Sequence, residues 1–213
     1  MRATKPFTFS AMSRRAAMTA AALAAMATLS GCGGKTGGAA EGDMALGAPD
    51  GAKVTVVEYA SVTCSHCAAW QQEVWPEFKA KYVDTNKVRY VFREFPTPPI
   101  PVATAGFLMA RCAGEDKYFD VIHEIMASQA EIFGGTPPRT VLLRIAQGAG
   151  LTEQQFQTCV TDEKAIDALE ARIRAGVAAG VSSTPNFVVN GEKVADSSLS
   201  GLSEKIDAEL AKS

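Results

Sequence analysis

A run of β-branched residues that stops at two cysteines constrains this chain more than any other stretch. "TVVEYASVTCSHCAAW", Thr55 to Trp70, continues a buried strand entered at Ala52 and runs directly into Cys64-Ser65-His66-Cys67. Beyond the cysteines, Trp70, Val74 and Phe78 fall on one face of a helix, which Pro76 should kink by removing an amide donor. The cysteine pair therefore sits where a strand ends and a helix begins.

That placement selects among the chemistries open to a C-x-x-C. Structural zinc wants four ligands, but Cys112 and Cys159 are solitary and His123 stands apart, so no second pair of ligands exists. A c-type haem needs a histidine directly after the second cysteine, and residue 68 is alanine. An iron–sulfur cluster needs four clustered thiolates. No metal is expected. At a helix N-terminus, by contrast, the first sulfur meets unpaired backbone N–H groups and the positive end of the dipole, which stabilise its thiolate. Reversible dithiol–disulfide chemistry uses that position.

The remaining pattern is mixed. "KVRYVFREF" from Lys87 reads as a second strand, closed by "PTPPIP", which continues neither strand nor helix. Helical patterns follow in "VATAGFLMARCAG", "KYFDVIHEIMASQAEIF", "RTVLLRIAQGAG", "TEQQFQTCV", with Thr152 and Gln155 at capping-box spacing, and "KAIDALEARIRAGVAAG". "PNFVVNGEKV" then predicts a hairpin turning at Asn190-Gly191, and Leu202, Ile206 and Leu210 predict a closing amphipathic helix. Strand, helix, strand, a block of helices, hairpin and helix together give an α/β sheet with an inserted helical domain.

The front of the chain addresses it. Arg2, Lys5, Arg14 and Arg15 precede an alanine-rich apolar run from Ala16 to Ser30, shorter than the roughly 20 residues that span a bilayer. Residues 1–31 thus read as an export signal. "LSGC", ending at Cys32, resembles the lipobox of bacterial lipoproteins, which implies cleavage before Cys32 and lipid on its sulfur. "SRRAAM" from Ser13 is similar to a twin-arginine signal, with Ala17 where a large apolar residue is usual. Residues 32–50, rich in glycine and alanine, read as a flexible linker, leaving 51–213, roughly 160 residues, as one domain. A net charge of −2 without basic runs argues against nucleic acid as partner.

With "CSHC", a helical block at about 98–178 and "VSSTPNFVVNG", the sequence resembles the thioredoxin superfamily, and within it the DsbA-like thiol oxidases of bacterial envelopes. The resemblance implies a thioredoxin fold with an inserted all-helical domain. It implies that Cys64 is the attacked surface sulfur, Cys67 the buried resolving one, and that a hydrogen bond or positive charge at His66 further stabilises the Cys64 thiolate. Ser65 departs from the proline common there and bears on the redox potential. Glu58 matches the family's acid beneath the disulfide, a proton relay to Cys67, and Thr184-Pro185 its cis-proline, whose neighbouring backbone pairs with extended substrate. Some relatives carry a cysteine pair in the insert, so a structural Cys112–Cys159 disulfide is expected, two separately buried thiols being the alternative. His123, Trp70 and Trp75 are expected to be structural.

The implied activity is thiol:disulfide exchange that introduces disulfides into exported proteins. No cofactor is expected beyond the Cys64–Cys67 disulfide. The implied partners are unfolded or folding exported chains, a quinone-linked membrane reoxidase, and the membrane through lipid on Cys32. A cell-envelope or periplasmic monomer is expected. The rivals are an envelope isomerase or reductase and a non-catalytic, lipid-anchored binding protein.

Overall fold

The computed structural model describes residues 40–212; the export signal, the twin-arginine motif and Cys32 lie outside them. A five-stranded sheet is built from β1 (Met44–Gly47), β2 (Thr55–Ala60), β3 (Arg89–Glu94), β4 (Asn186–Val189) and β5 (Glu192–Val194) in the order β1-β3-β2-β4-β5. β2 and β3 are parallel and the other pairs antiparallel. Helix α1 (Ser65–Glu73) follows β2, and α2 (Trp75–Phe78), continued by a π-helical turn at Lys79–Val83, completes the crossover to β3. Between β3 and β4 stand α3 (Ile100–Cys112), α4 (Glu115–Ala127), α5 (Gln129–Phe133), α6 (Pro138–Gly148), α7 (Glu153–Val160) and α8 (Glu163–Ala178), and α9 (Leu199–Ala211) closes the chain. This is a thioredoxin fold with a helical insertion.

The central strand positions the site by simple alternation. Val56, Glu58 and Ala60 of β2 face one side of the sheet, and Val57 and Tyr59 the other. Val56 and Ala60 join the large core that also holds Cys64, Cys67, Trp70, Trp75, Phe78 and Tyr90. Val57 and Tyr59 pack with Val91, Val181 and Val188 on the opposite face. Glu58 thus points under the cysteines because it shares the period of Val56 and Ala60.

Four expectations change in detail. The stretch read as linker contains a strand, Met44–Gly47, paired antiparallel with β3 from Met44↔Phe92 to Gly47↔Arg89. Four residues among glycines are too few for periodicity to register. Gly47 is required there: its φ is +82°, and a Cβ would lie 2.5 Å from Val88 O. The single helix expected from Lys117 to Phe133 breaks at Ser128, where α5 begins anew. "PTPPIP" does more than close β3, since α3 already starts at Ile100 with Pro101 in its first turn, where the missing N–H costs nothing. The kink expected at Pro76 takes the form of a break at Val74, with Pro76 in the first turn of α2.

Other local signals appear as read. The Thr152–Gln155 capping box forms reciprocally. Asn190 (φ +49°) and Gly191 (φ +87°) both turn through the left-handed region, as a type I′ hairpin requires. The insert is tied to the sheet through Glu94 at the end of β3, whose fully buried carboxylate pairs with Arg111 of α3 and, at 2.9 Å, Arg172 of α8. Tyr118 of α4 donates to the same carboxylate at 3.1 Å. Cys112 and Cys159 are joined in a disulfide that links the end of α3 to α7 with Cα atoms 6.1 Å apart. The rings of Trp75 and Phe119 lie 5.4 and 6.3 Å from His123, whose burial holds its pKa down to about 4, so it is neutral at pH 7.

Candidate active site

Cys64 caps α1. Its backbone is extended (φ −88°, ψ 118°), which turns the sulfur back over the first turn, where it accepts from Cys67 N–H at 3.3 Å. On the other side its thiol reaches Thr184 O at 3.5 Å. The Thr184–Pro185 bond is cis, bringing that carbonyl beside the sulfur. Both Cys64 and Cys67 are free thiols, Cys64 9% exposed and Cys67 fully buried.

The two sulfurs are driven apart electrostatically. A hydrogen bond from the Cys67 thiol, assisted by the Thr184 side chain and by the backbone N–H groups of Cys67 and His66, holds the Cys64 pKa down to about 5 against the cost of burial. Burial pushes Cys67 far up, and its hydrogen bond to Cys64 and the charge of Glu58 add to that. The shared proton therefore resides on Cys67 and the negative charge on Cys64. At neutral pH Cys64 is a ready nucleophile and a good leaving group.

Glu58 is 1% exposed. Burial pushes its pKa up to about 8, opposed by the hydrogen bond from Tyr90 and reinforced by the Cys64 charge. Tyr90 Oη donates to Oε2, while Oε1 is buried without a hydrogen-bond partner. A carboxyl that is protonated at pH 7, with one oxygen uncommitted, can pass a proton.

The structure brings together Cys64, Cys67, Glu58, Thr184 and Pro185. Ser65 and His66 occupy the same turn but are exposed. The backbone N–H of His66 is among the groups that support the Cys64 sulfur. Cys112 and Cys159 lie apart, in the insert. Sequence reasoning missed Tyr90, although alternation along β3 from Tyr90 through Phe92 to Glu94 marks its face. It also missed a hydroxyl cluster that shapes the cysteine loop. Ser61 Oγ and Thr63 Oγ1 lie 2.9 Å apart, Thr63 Oγ1 donates to Thr97 O at 2.7 Å, and Thr97 N–H donates to Ser61 Oγ at 3.0 Å.

Fold and site together define a thioredoxin-fold protein with a paired-cysteine centre at a helix N-terminus. A family model described as thioredoxin matches residues 39–208, and the chain belongs to that family. Among curated relatives, a Rickettsia bellii protein provisionally named protein-disulfide oxidoreductase is 35% identical over 175 residues, 81% of this chain and 66% of that protein. The chain thus spans just under two thirds of that relative. The crystal structure of Wolbachia pipientis alpha-DsbA1 superimposes with a TM-score of 0.74 at 26% identity, covering 81% of this chain and 93% of that one. Oxidised BdbD from Bacillus subtilis gives 0.74 at 18% identity over 83% of this chain and 97% of its own, a likeness of fold.

Proposed function

We propose that the protein is a DsbA-type thiol:disulfide oxidoreductase that introduces disulfide bonds into exported polypeptides. The observation that carries this reading is the unequal pair itself, with Cys64 held as thiolate at the mouth of α1 and Cys67 buried above a protonatable Glu58. Whatever stabilises the reduced form makes the disulfide a stronger oxidant.

In the oxidised protein a substrate thiolate attacks Cys64 Sγ. The Cys64–Cys67 bond breaks and its electron pair leaves on Cys67, which takes a proton that Glu58 can deliver. A second substrate thiolate attacks the substrate sulfur of the mixed disulfide, and Cys64 departs as a thiolate. The substrate has lost two electrons and two protons, and the protein holds a dithiol. The dithiol carries the electrons without a dissociable cofactor, and reoxidation falls to a quinone-linked membrane partner. Backbone beside Pro185 pairs with an extended substrate. Ile100 and Phe133 are 46% and 51% exposed on segments hydrogen-bonded to the cysteine loop, and they offer apolar contacts to unfolded chains. Among the described residues no helix is long and apolar enough to cross a membrane. Envelope placement rests on the export signal, and anchoring on lipid at Cys32.

Ser65 favours a second reading, an envelope reductase or isomerase, if serine weakens the oxidising bias. Stoichiometric transfer tests the first. Oxidised protein mixed with a reduced, unfolded polypeptide carrying two thiols should yield one disulfide in the polypeptide per protein reduced. If no thiols appear on the protein, the proposal fails.

A further inference from the structure

Gln129 opens α5 and is only 7% exposed. Its Nε2 donates to two backbone carbonyls of the loop between β2 and α1, Val62 O at 2.9 Å and Cys64 O at 3.1 Å. A primary amide has two hydrogens, so one nitrogen serves both. Cys64 O also accepts from Ala68 N–H at 3.1 Å, the bond that starts α1. Gln129 therefore grips the carbonyl from which the helix is launched. The hydroxyl cluster of Ser61, Thr63 and Thr97 holds the preceding residues of the same loop. Thr97 stands before the helical insert and Gln129 within it, so segments remote in sequence frame the cysteine loop.

We propose that Gln129 is a positioning residue for the dithiol: its amide fixes the Val62–Cys64 backbone and thereby keeps the Cys64 sulfur at the mouth of α1. The inference rests on the oxidoreductase reading and deepens it. Gln129 acts through the backbone alone. The sulfur is stabilised by N–H groups, one of them 3.3 Å away, and such bonds weaken steeply as distance and angle relax. Releasing two carbonyls lets the loop shift and the thiolate lose part of that support. On this account the helical insert sets oxidising strength as well as shaping the surface around the disulfide.

Gln129→Leu keeps the volume and removes both donors, and Gln129→Glu keeps the shape but turns carboxyl oxygens toward the carbonyls. In each, the ultraviolet thiolate absorbance of Cys64 should titrate about one unit higher than in the parent. The equilibrium with glutathione should move about tenfold toward the disulfide form, about 30 mV for a two-electron couple. A lower melting temperature with both readings unmoved would overturn the proposal. So would loss of folding in both variants, which would assign the amide to the fold rather than to the sulfur. A parent protein whose cysteines do not cycle with glutathione would instead sink the oxidoreductase reading. A cycling parent with unmoved variants would sink only the role of Gln129.

Discussion

Cys64→Ser will reduce disulfide transfer to the uncatalysed rate while leaving the fold in place. Serine is a preferred N-cap, so its hydroxyl can take over the bond from Cys67 N–H, and helix stability should change by no more than about 1 kcal/mol. What disappears is the chemistry, because an alcohol of high pKa neither forms the disulfide nor leaves as an anion at pH 7. Cys67→Ser should fail differently. Cys64, 9% exposed, keeps a thiolate that can attack a substrate disulfide and expel one of its sulfurs, but the buried partner that resolves the adduct is gone. A mixed disulfide should then persist on non-reducing gels. Transfer that survives in Cys64→Ser would show that Cys64 is not the reacting sulfur and end this mechanism, whereas a parent protein that transfers no disulfide at all would move the protein into the binding-protein class.

The second large effect is electrostatic. Glu58 titrates near 8 in the folded, reduced protein against an ordinary value of 4.5. The unfolded chain releases that proton first as pH rises, so Glu58 withdraws stability progressively between about pH 4.5 and 8. Three to four pKa units correspond to a swing on the order of 5 kcal/mol. Cys64 works in the opposite sense, because its depressed pKa adds stability as pH rises from about 5 to about 9. The two slopes offset in the parent protein, so the informative quantity is the difference between Glu58→Gln and parent. That difference should be small at pH 4.5 and should grow in favour of the variant by several kcal/mol at pH 8, read by denaturant unfolding of the reduced proteins. A difference that stays flat with pH would mean that Glu58 is charged and solvated, and the proton relay would fall. The same variant should slow release of Cys67 by roughly tenfold or more, as loss of a general acid does.

Much of this was written locally. The cysteine pair at a strand-to-helix junction, the Thr152 capping box, the Asn190-Gly191 hairpin and the helical block are each short-range patterns whose cause is backbone geometry. Glu58 was reached through the family resemblance, and alternation along β2 is the physical reason that it lies on the core face. Contacts between remote segments were not. Gln129 carries no periodic mark that separates it from a surface glutamine, and its importance arises only when the chain breaks at Ser128 and turns the amide toward Val62 and Cys64. Strand β1 escaped because its support is almost wholly its partner β3, and four residues between glycines carry little propensity of their own.

The central claim is that the Cys64–Cys67 pair is a disulfide donor, and its reduction potential, measured by equilibration against glutathione buffers of known ratio, tests that most directly. A Cys64 pKa of about 5 lies between the values of about 7 for thioredoxin and about 3.5 for DsbA. The potential should accordingly lie above about −200 mV, toward the roughly −120 mV of a strong oxidant. A value near the −270 mV or so of thioredoxin would contradict the account and make this protein a reductase or isomerase of the envelope.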